Sequence, residues 1–210
     1  MIAVVASNNK NKIVEIKTFL KDVFEDIKSL KDMDINIDIE ETGTTFFENA
    51  LIKAKTISQI TNMPAIADDS GLCVDILDGA PGVYSARFAG EPCNDYNNNQ
   101  KLLKILEEKH AITKEERAAH FTSCIVLYYP DGKYFVGQGS VDGTILFKYQ
   151  GNGGFGYDPL FYCYELNKTF AEITLDEKNT VSHRARALLD LLKKLWKLVL
   201  LFLILMAYYQ

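Results

Sequence analysis

Ala65-Ile66-Ala67-Asp68-Asp69-Ser70-Gly71 is the stretch whose reading decides the fold. Small apolar residues behind Pro64 lead into two carboxylates, a hydroxyl and a glycine, which reads as the end of a short buried strand. Gly71 permits a sharp turn there. Open α/β sheets bind ligands beyond the carboxyl ends of such strands. Adjacent carboxylates repel unless something positive sits beside them. A hard cation on one or two carboxylates, shared with substrate phosphates, is the usual remedy.

Upstream, Met1-Ile2-Ala3-Val4-Val5-Ala6 reads as a first strand; it lacks a basic start and is too short for a signal peptide. The polar turn Ser7-Asn8-Asn9-Lys10-Asn11-Lys12 follows. Ile13, Ile16, Phe19, Leu20, Val23 and Phe24 then recur at helical spacing. A helix start presents unpaired N–H groups and a positive dipole end, which suits an anion, and Lys10 and Lys12 add charge. Ile35-Asn36-Ile37-Asp38-Ile39 alternates with period two, predicting a strand that ends in Glu40-Glu41-Thr42-Gly43. Thr45-Phe46-Phe47-Glu48 fits a capping box. Ala50, Leu51, Ala54, Ile57 and Ile60 continue it as a helix face, with Lys53 off that face.

Downstream, Asn94 to Glu108 reads as a helix, and 111–118 as a charged connector. Phe121–Tyr129, Tyr134–Gln138 and Val141–Phe147 read as three strands, the first two joined by the hairpin turn Pro130-Asp131-Gly132-Lys133. Strands without intervening helices predict an antiparallel portion, hence a mixed sheet. Gly151-Asn152-Gly153-Gly154-Phe155-Gly156 formally matches G-x-G-x-x-G, but turn and strand follow it where a dinucleotide motif needs a helix. A glycine loop with one aromatic suits a ring held against a flat ligand. Thr174-Leu175-Asp176-Glu177-Lys178 is a cap-like turn, and Ser182-His183-Arg184 opens the last helix.

The bulk numbers bound the rest. The chain has 210 residues, 48% hydrophobic and 24% charged, which fits one sizeable domain. Its net charge of −5 argues against a general nucleic-acid partner, so a phosphate ligand needs local cations. Cys73, Cys93, Cys124 and Cys163 form no close pair, which predicts reduced thiols and a cytoplasmic setting. The apolar run past Lys197 is about a dozen residues, short of the ~18–20 a membrane span needs. No membrane partner is expected, although this tail leaves the point open.

Phosphate, metal and a planar base thus each have a candidate holder, which points to a nucleoside polyphosphate. The same stretches resemble the inosine triphosphate pyrophosphatases over residues 3 to 192. The matches include Ser7–Lys12 with Glu15, Glu40-Glu41-Thr42-Gly43, Phe47–Ala54, Ala67–Leu72 and Gly79–Arg87. Gly153–Pro159, Glu177-Lys178 and Ser182-His183-Arg184 complete them. The resemblance implies an α/β fold: a long mixed twisted sheet with flanking helices, in two lobes around a central cleft. A single domain would occupy 1–194, with an apolar tail of unknown role over 195–210.

The implied reaction is Mg²⁺-dependent hydrolysis of non-canonical purine nucleoside triphosphates (ITP, dITP, XTP) to the monophosphate and pyrophosphate, by a homodimer. Glu40 and Asp69 would carry Mg²⁺, with Asp68 beside them, and Asp69 would orient or deprotonate the attacking water. Ser7, Asn8, Asn9, Lys10, Asn11, Lys12, Lys53 and Ser70 would hold the phosphates. Phe155 would stack on the base, flanked by Gly156 and Tyr157. Asp158, Lys178, Ser182, His183 and Arg184 would read its edge, their donors favouring a 6-keto over a 6-amino group. A pyrophosphatase for another base and a non-catalytic nucleotide-binding regulator are the alternatives.

Overall fold

The computed structural model describes residues 1–208, with side chains through Lys197. A seven-stranded mixed sheet forms the frame, in the order β2-β1-β3-β4-β5-β6-β7. The strands are β1 (Ile2–Val5), β2 (Asp26–Ser29), β3 (Ala65–Val74), β4 (Ala118–Tyr128), β5 (Tyr134–Ile145), β6 (Phe161–Cys163) and β7 (Lys168–Thr169). The helices are α1 (Lys10–Leu20), α2 (Phe46–Thr61), α3 (Asp95–Glu108), α4 (Leu175–Val181) and α5 (His183–Tyr208). β1 runs parallel to β2 and β3, whereas β6 is antiparallel to β5 and β7.

The chain divides into two compact units. One comprises Met1–Asp69, Cys124–Gly139 and Arg184–Gln210, the other Ser70–Ser123 and Ser140–His183.

In the first unit the inner strands β1, β3 and β4 carry apolar residues on both faces, because helices cover both. Val5, Ile66, Ile125 and Leu127 pack with Ile16 and Leu20 of α1 and Ala187, Leu188 and Leu191 of α5. Their chain neighbours Val4, Ala65, Ala67 and Val126 point the other way, onto Ala50, Ala54 and Ile57 of α2. This is the period of two in a doubly covered sheet, which appears in the sequence as unbroken apolar runs. The capping box at Thr45 and Glu48 forms as the sequence predicts, and so does a second one at Thr174 and Glu177.

In the second unit, Leu102 and Leu106 of α3 pack with Phe121, Val141, Leu160, Phe161 and Phe170. Phe121 meets Phe161 edge-on at 4.7 Å between centroids.

Four sequence expectations change. The strand does not end at the acidic pair and Gly71 makes no turn: β3 continues through Ser70 and Gly71 to Val74, because Leu72 and Val74 are buried in the core of the second unit, so Asp68 and Asp69 stand in mid-strand. Residues 35–39 do not join the sheet; the partner of β1 is β2, at Asp26–Ser29. Ile35, Ile37 and Ile39 still pack on the α2 side of the core, so alternation records which side is buried and not whether a ladder forms. The strands expected at Tyr134–Gln138 and Val141–Phe147 are one continuous β5. The charged connector contains a buried anchor. Arg117 donates from Nε to the Ile145 carbonyl (2.6 Å), from Nη1 to Ala111 (3.1 Å) and from Nη2 to Leu146 (2.9 Å).

The tail continues α5 through Tyr208, and the side chains of 198–210 lie outside the described residues. Among the described residues no helix is long and apolar enough to cross a membrane.

α5 lies close against β5 because Gly137 has no side chain. A Cβ there would run into the Ala187 carbonyl and the backbone nitrogen and Cβ of Leu191. Gly137→Ala is therefore expected to destabilise the fold by about 1–3 kcal/mol, the usual cost of forced overpacking. A urea titration that finds an unchanged midpoint would overturn this packing argument.

Candidate active site

In the first unit, two carboxylate centres form on neighbouring residues of β3. Asp68 Oδ2 accepts from Arg184 Nε (3.2 Å) and Nη2 (3.1 Å), and Lys12 Nζ lies 2.8 Å away. Arg184 Nη1 donates to Glu15 Oε2 at 2.7 Å. Arg184 is 1% exposed and Glu15 2% exposed, so this ion cluster is out of water. Burial alone would lower the guanidinium's pKa, but Asp68 and Glu15 outweigh it and hold the proton more firmly than usual.

Asp69, the next residue, has different partners. Lys53 Nζ lies 3.0 Å from Asp69 Oδ1 and 3.1 Å from Glu41 Oε1. Asn49 Nδ2 donates to Asp69 Oδ2 at 3.3 Å, while its Oδ1 accepts the Gly43 N–H at 2.8 Å. The start of α2 is thus tied to the Glu41–Gly43 loop. A side chain on Gly43 would collide with Glu48 and Asn49, which fixes that position as glycine. Burial pushes the Asp69 carboxyl up to about 6, and Glu41 pushes the same way; Lys53 opposes them. Burial pulls Lys53 down, but Asp69 and Glu41 hold it above its ordinary value. A buried carboxyl poised near neutrality can take or give a proton at physiological pH.

The polar turn before α1 is built around Asn9. Its side chain accepts the N–H groups of Asn11 (3.0 Å) and Lys12 (3.2 Å), and its own N–H donates to Ser7 Oγ (3.1 Å). Two of the helix-start N–H groups are therefore capped from within the turn. Asn8, Lys10 and Asn11 are exposed, and Ser70 is half-buried at its place in β3.

In the second unit, the glycine loop encloses an aromatic and ionic cluster. Lys178 Nζ lies 2.6 Å from Asp158 Oδ2, 4.7 Å from the centroid of the Phe155 ring and 5.1 Å from that of Phe170. Asp158 Oδ2 also accepts the Phe155 N–H at 2.9 Å. Gly154 adopts φ +73°, and a Cβ there would collide with Asp158. His183 stacks on Phe121, 4.7 Å between centroids at 13°. Tyr157 is buried and donates its hydroxyl to the Ser85 carbonyl at 2.8 Å, a structural contact. Ser182 is buried at the end of α4.

The sequence model of the Ham1 family matches residues 3–194. The chain belongs to the Ham1 family. Relatives of this Ham1 chain include a dITP/XTP pyrophosphatase of Clostridium perfringens, 50% identical over 88% of this chain and 92% of the relative. Another, from Desulforamulus reducens, is 45% identical over 93% and 98%. Among solved structures, a HAM1 protein from Coxiella burnetii superposes with a TM-score of 0.83 at 38% identity, covering 94% of this chain and 99% of that one. The Ham1 protein of Staphylococcus aureus gives 0.81 at 39% identity, covering 94% and 98%.

Two of the sequence expectations for this Ham1 chain meet a different arrangement. Glu41, not Glu40, shares Lys53 with Asp69; Glu40 is exposed and forms no ion pair among the described residues. Neighbouring residues of an extended segment point to opposite sides, and sequence alone does not say which faces inward. Arg184 was expected at the base edge, but in this structure its guanidinium is bonded to Asp68 and Glu15. Asn49 was not anticipated; as a buried amide inside a helix of apolar periodicity it was visible in principle.

Asp69 ionises at a cost to folding. Its neutral form is favoured, so its contribution to stability is complete below the ordinary value of 3.8 and is lost as pH rises through about 6. Asp69→Asn removes that loss. In buffer freed of divalent ions the variant is expected to be the more stable at pH 7.5, by at most roughly 3 kcal/mol at ~1.36 kcal/mol per pKa unit. The difference should vanish near pH 4. Denaturant titrations at the two pH values check this, and a gap that widens on acidification would refute it.

Proposed function

We propose that this Ham1 chain hydrolyses non-canonical purine nucleoside triphosphates, ITP, dITP and XTP, to the monophosphate and pyrophosphate with Mg²⁺. The observation that carries the reading is Asp69: a buried carboxyl near neutrality, flanked by Lys53 and Asn49, in a chain half identical to proteins named dITP/XTP pyrophosphatases.

The donor chemistry fits the metal. Glu41 Oε1 and Asp69 Oδ1 converge on one ammonium, so their oxygens already face a common positive centre. Hard carboxylate oxygens are what Mg²⁺ takes, one or two at a time, with water and phosphate filling the rest. Asp69 and Glu41 would hold it, with Glu40 next in the chain and Asp68 behind. When bound, it supplies charge neutralisation on the phosphate oxygens.

The chain's own groups do the remainder. Asp69 orients a water toward the α-phosphorus and accepts its proton. The new bond is water oxygen to phosphorus; the bond broken is phosphorus to the αβ-bridging oxygen, which leaves as pyrophosphate. Lys12 and Lys53 offset charge on the phosphate chain, and the Ser7–Lys12 turn and Ser70 add donors. Phe155 stacks on the base, worth ~1–3 kcal/mol in comparable base–aromatic contacts. Lys178, Ser182 and His183 present donors that suit a 6-keto purine. A 6-amino group facing buried donors is left unpaired, at ~1–3 kcal/mol. Asp68 and Arg184 hold this part of β3 in register beside Asp69. The work of such an enzyme is cleansing the cytoplasmic nucleotide pool, as a homodimer.

A panel of nucleoside triphosphates assayed for pyrophosphate tests the reading. Release from ITP, dITP and XTP is expected to exceed release from ATP by about a hundredfold, the effect of two donor mismatches. It should require Mg²⁺ and fall by orders of magnitude in Asp69→Asn. Fastest release from a pyrimidine triphosphate would transfer the reading to another base, and no release from any would favour a regulator. Phe155→Ala is expected to raise KM for ITP about tenfold or more, as the stacking energy implies. Unaltered KM would remove the ring from base binding.

A further inference from the structure

The loop that carries Phe155 is gripped from a second side, by residues outside the cluster described above. Asp95 and Asn99 lie one turn apart on α3, so their side chains share a face. Asp95 Oδ2 accepts the Gly156 N–H at 2.7 Å, and Asn99 Nδ2 donates to the Gly156 carbonyl at 2.9 Å. Both hydrogen-bonding groups of one glycine, at φ +60°, are therefore held by a single helix. On the other side of Phe155, its own N–H is held by Asp158. The aromatic residue is pinned through the backbone at its own N–H and at the following peptide, while its ring meets Lys178.

Asn99 is 2% exposed, and among the described residues its Oδ1 has no hydrogen-bond partner. A buried acceptor left unpaired opposes folding. A leucine of similar shape would remove that unpaired acceptor. The amide thus keeps one unpaired atom, and the one bond it does make is to the loop.

We infer that Asp95 and Asn99 are positioning residues for the substrate base: by holding the Gly156 peptide they fix the orientation in which Phe155 presents its ring. The inference rests on the proposed role of Phe155 as the base holder. Loosening the grip lets the loop sample other orientations. Substrate then has to select the productive one, which raises KM in proportion to its loss of population. Asp69 and its partners are untouched, so kcat stays near its original value.

Steady-state kinetics with ITP on Asn99→Leu, Asp95→Ala, Asp95→Asn, Phe155→Ala and the double variant Asn99→Leu/Phe155→Ala tests this. Asn99→Leu and Asp95→Ala are expected to raise KM about three- to tenfold with kcat within about twofold, as a population effect on binding alone predicts. Asp95→Asn keeps an acceptor and should restore KM. Without the ring there is nothing to orient, so the double variant should match Phe155→Ala. A merely structural role would lower the melting temperature and leave KM unchanged, so a rise in KM at about 10 °C below the melting temperature of each variant separates the two. Unchanged KM in Asn99→Leu and Asp95→Ala, with KM raised in Phe155→Ala, overturns the grip and leaves base stacking intact. Unchanged KM in Phe155→Ala overturns the stacking itself. Additive losses in the double variant also overturn the inference.

Discussion

The ion cluster of Arg184 with Asp68 and Glu15 is the constraint on which the first unit depends. Each of these groups loses its water, at several kcal/mol per ion, and only mutual contact compensates. Such a cluster adds little net stability compared with apolar residues of the same size. It does make the arrangement unforgiving, since removing one partner strands a buried charge. α1 supplies Glu15 and Lys12, β3 supplies Asp68 and α5 supplies Arg184. Three elements from distant parts of the chain are thereby held at one register.

That register is what sets Asp69 apart. Adjacent strand residues project to opposite sides. With Asp68 held by Arg184 and Lys12, Asp69 turns to Lys53, Asn49 and, through Lys53, to Glu41. Two carboxylates one peptide apart thus acquire opposed characters, one bound among cations and one left near neutrality by burial. Environment, not residue type, separates them.

Much of this was legible in the sequence wherever the signal is local. The capping boxes at Thr45 and Thr174, the helix opening at His183 and the buried strand that leads into the acidic pair all depend on residues within a few positions of each other. Choices that depend on distant partners were not. Whether 26–29 or 35–39 pairs with β1 is decided by the sheet edge, because both can bury apolar side chains. Glu41 is separated from Glu40 by the position of Lys53 on α2. Arg184 shows only its charge in sequence; its partners lie 116 and 169 residues away. Arg117 was hidden for the same reason, since its acceptors are backbone carbonyls that carry no residue identity.

The path of the chain has a consequence for how the protein is made. The first unit is assembled from three separated pieces, and the last of them begins at Arg184. On the ribosome, Glu15 and Asp68 emerge long before Arg184, with only Lys12 beside Asp68 to offset them. A nascent chain halted before that point would hold two carboxylates in a nearly finished interior with no guanidinium to meet them. Docking of α1 on β3 alone therefore sets two carboxylates against one ammonium, and the guanidinium delivered with the final helix supplies the missing charge.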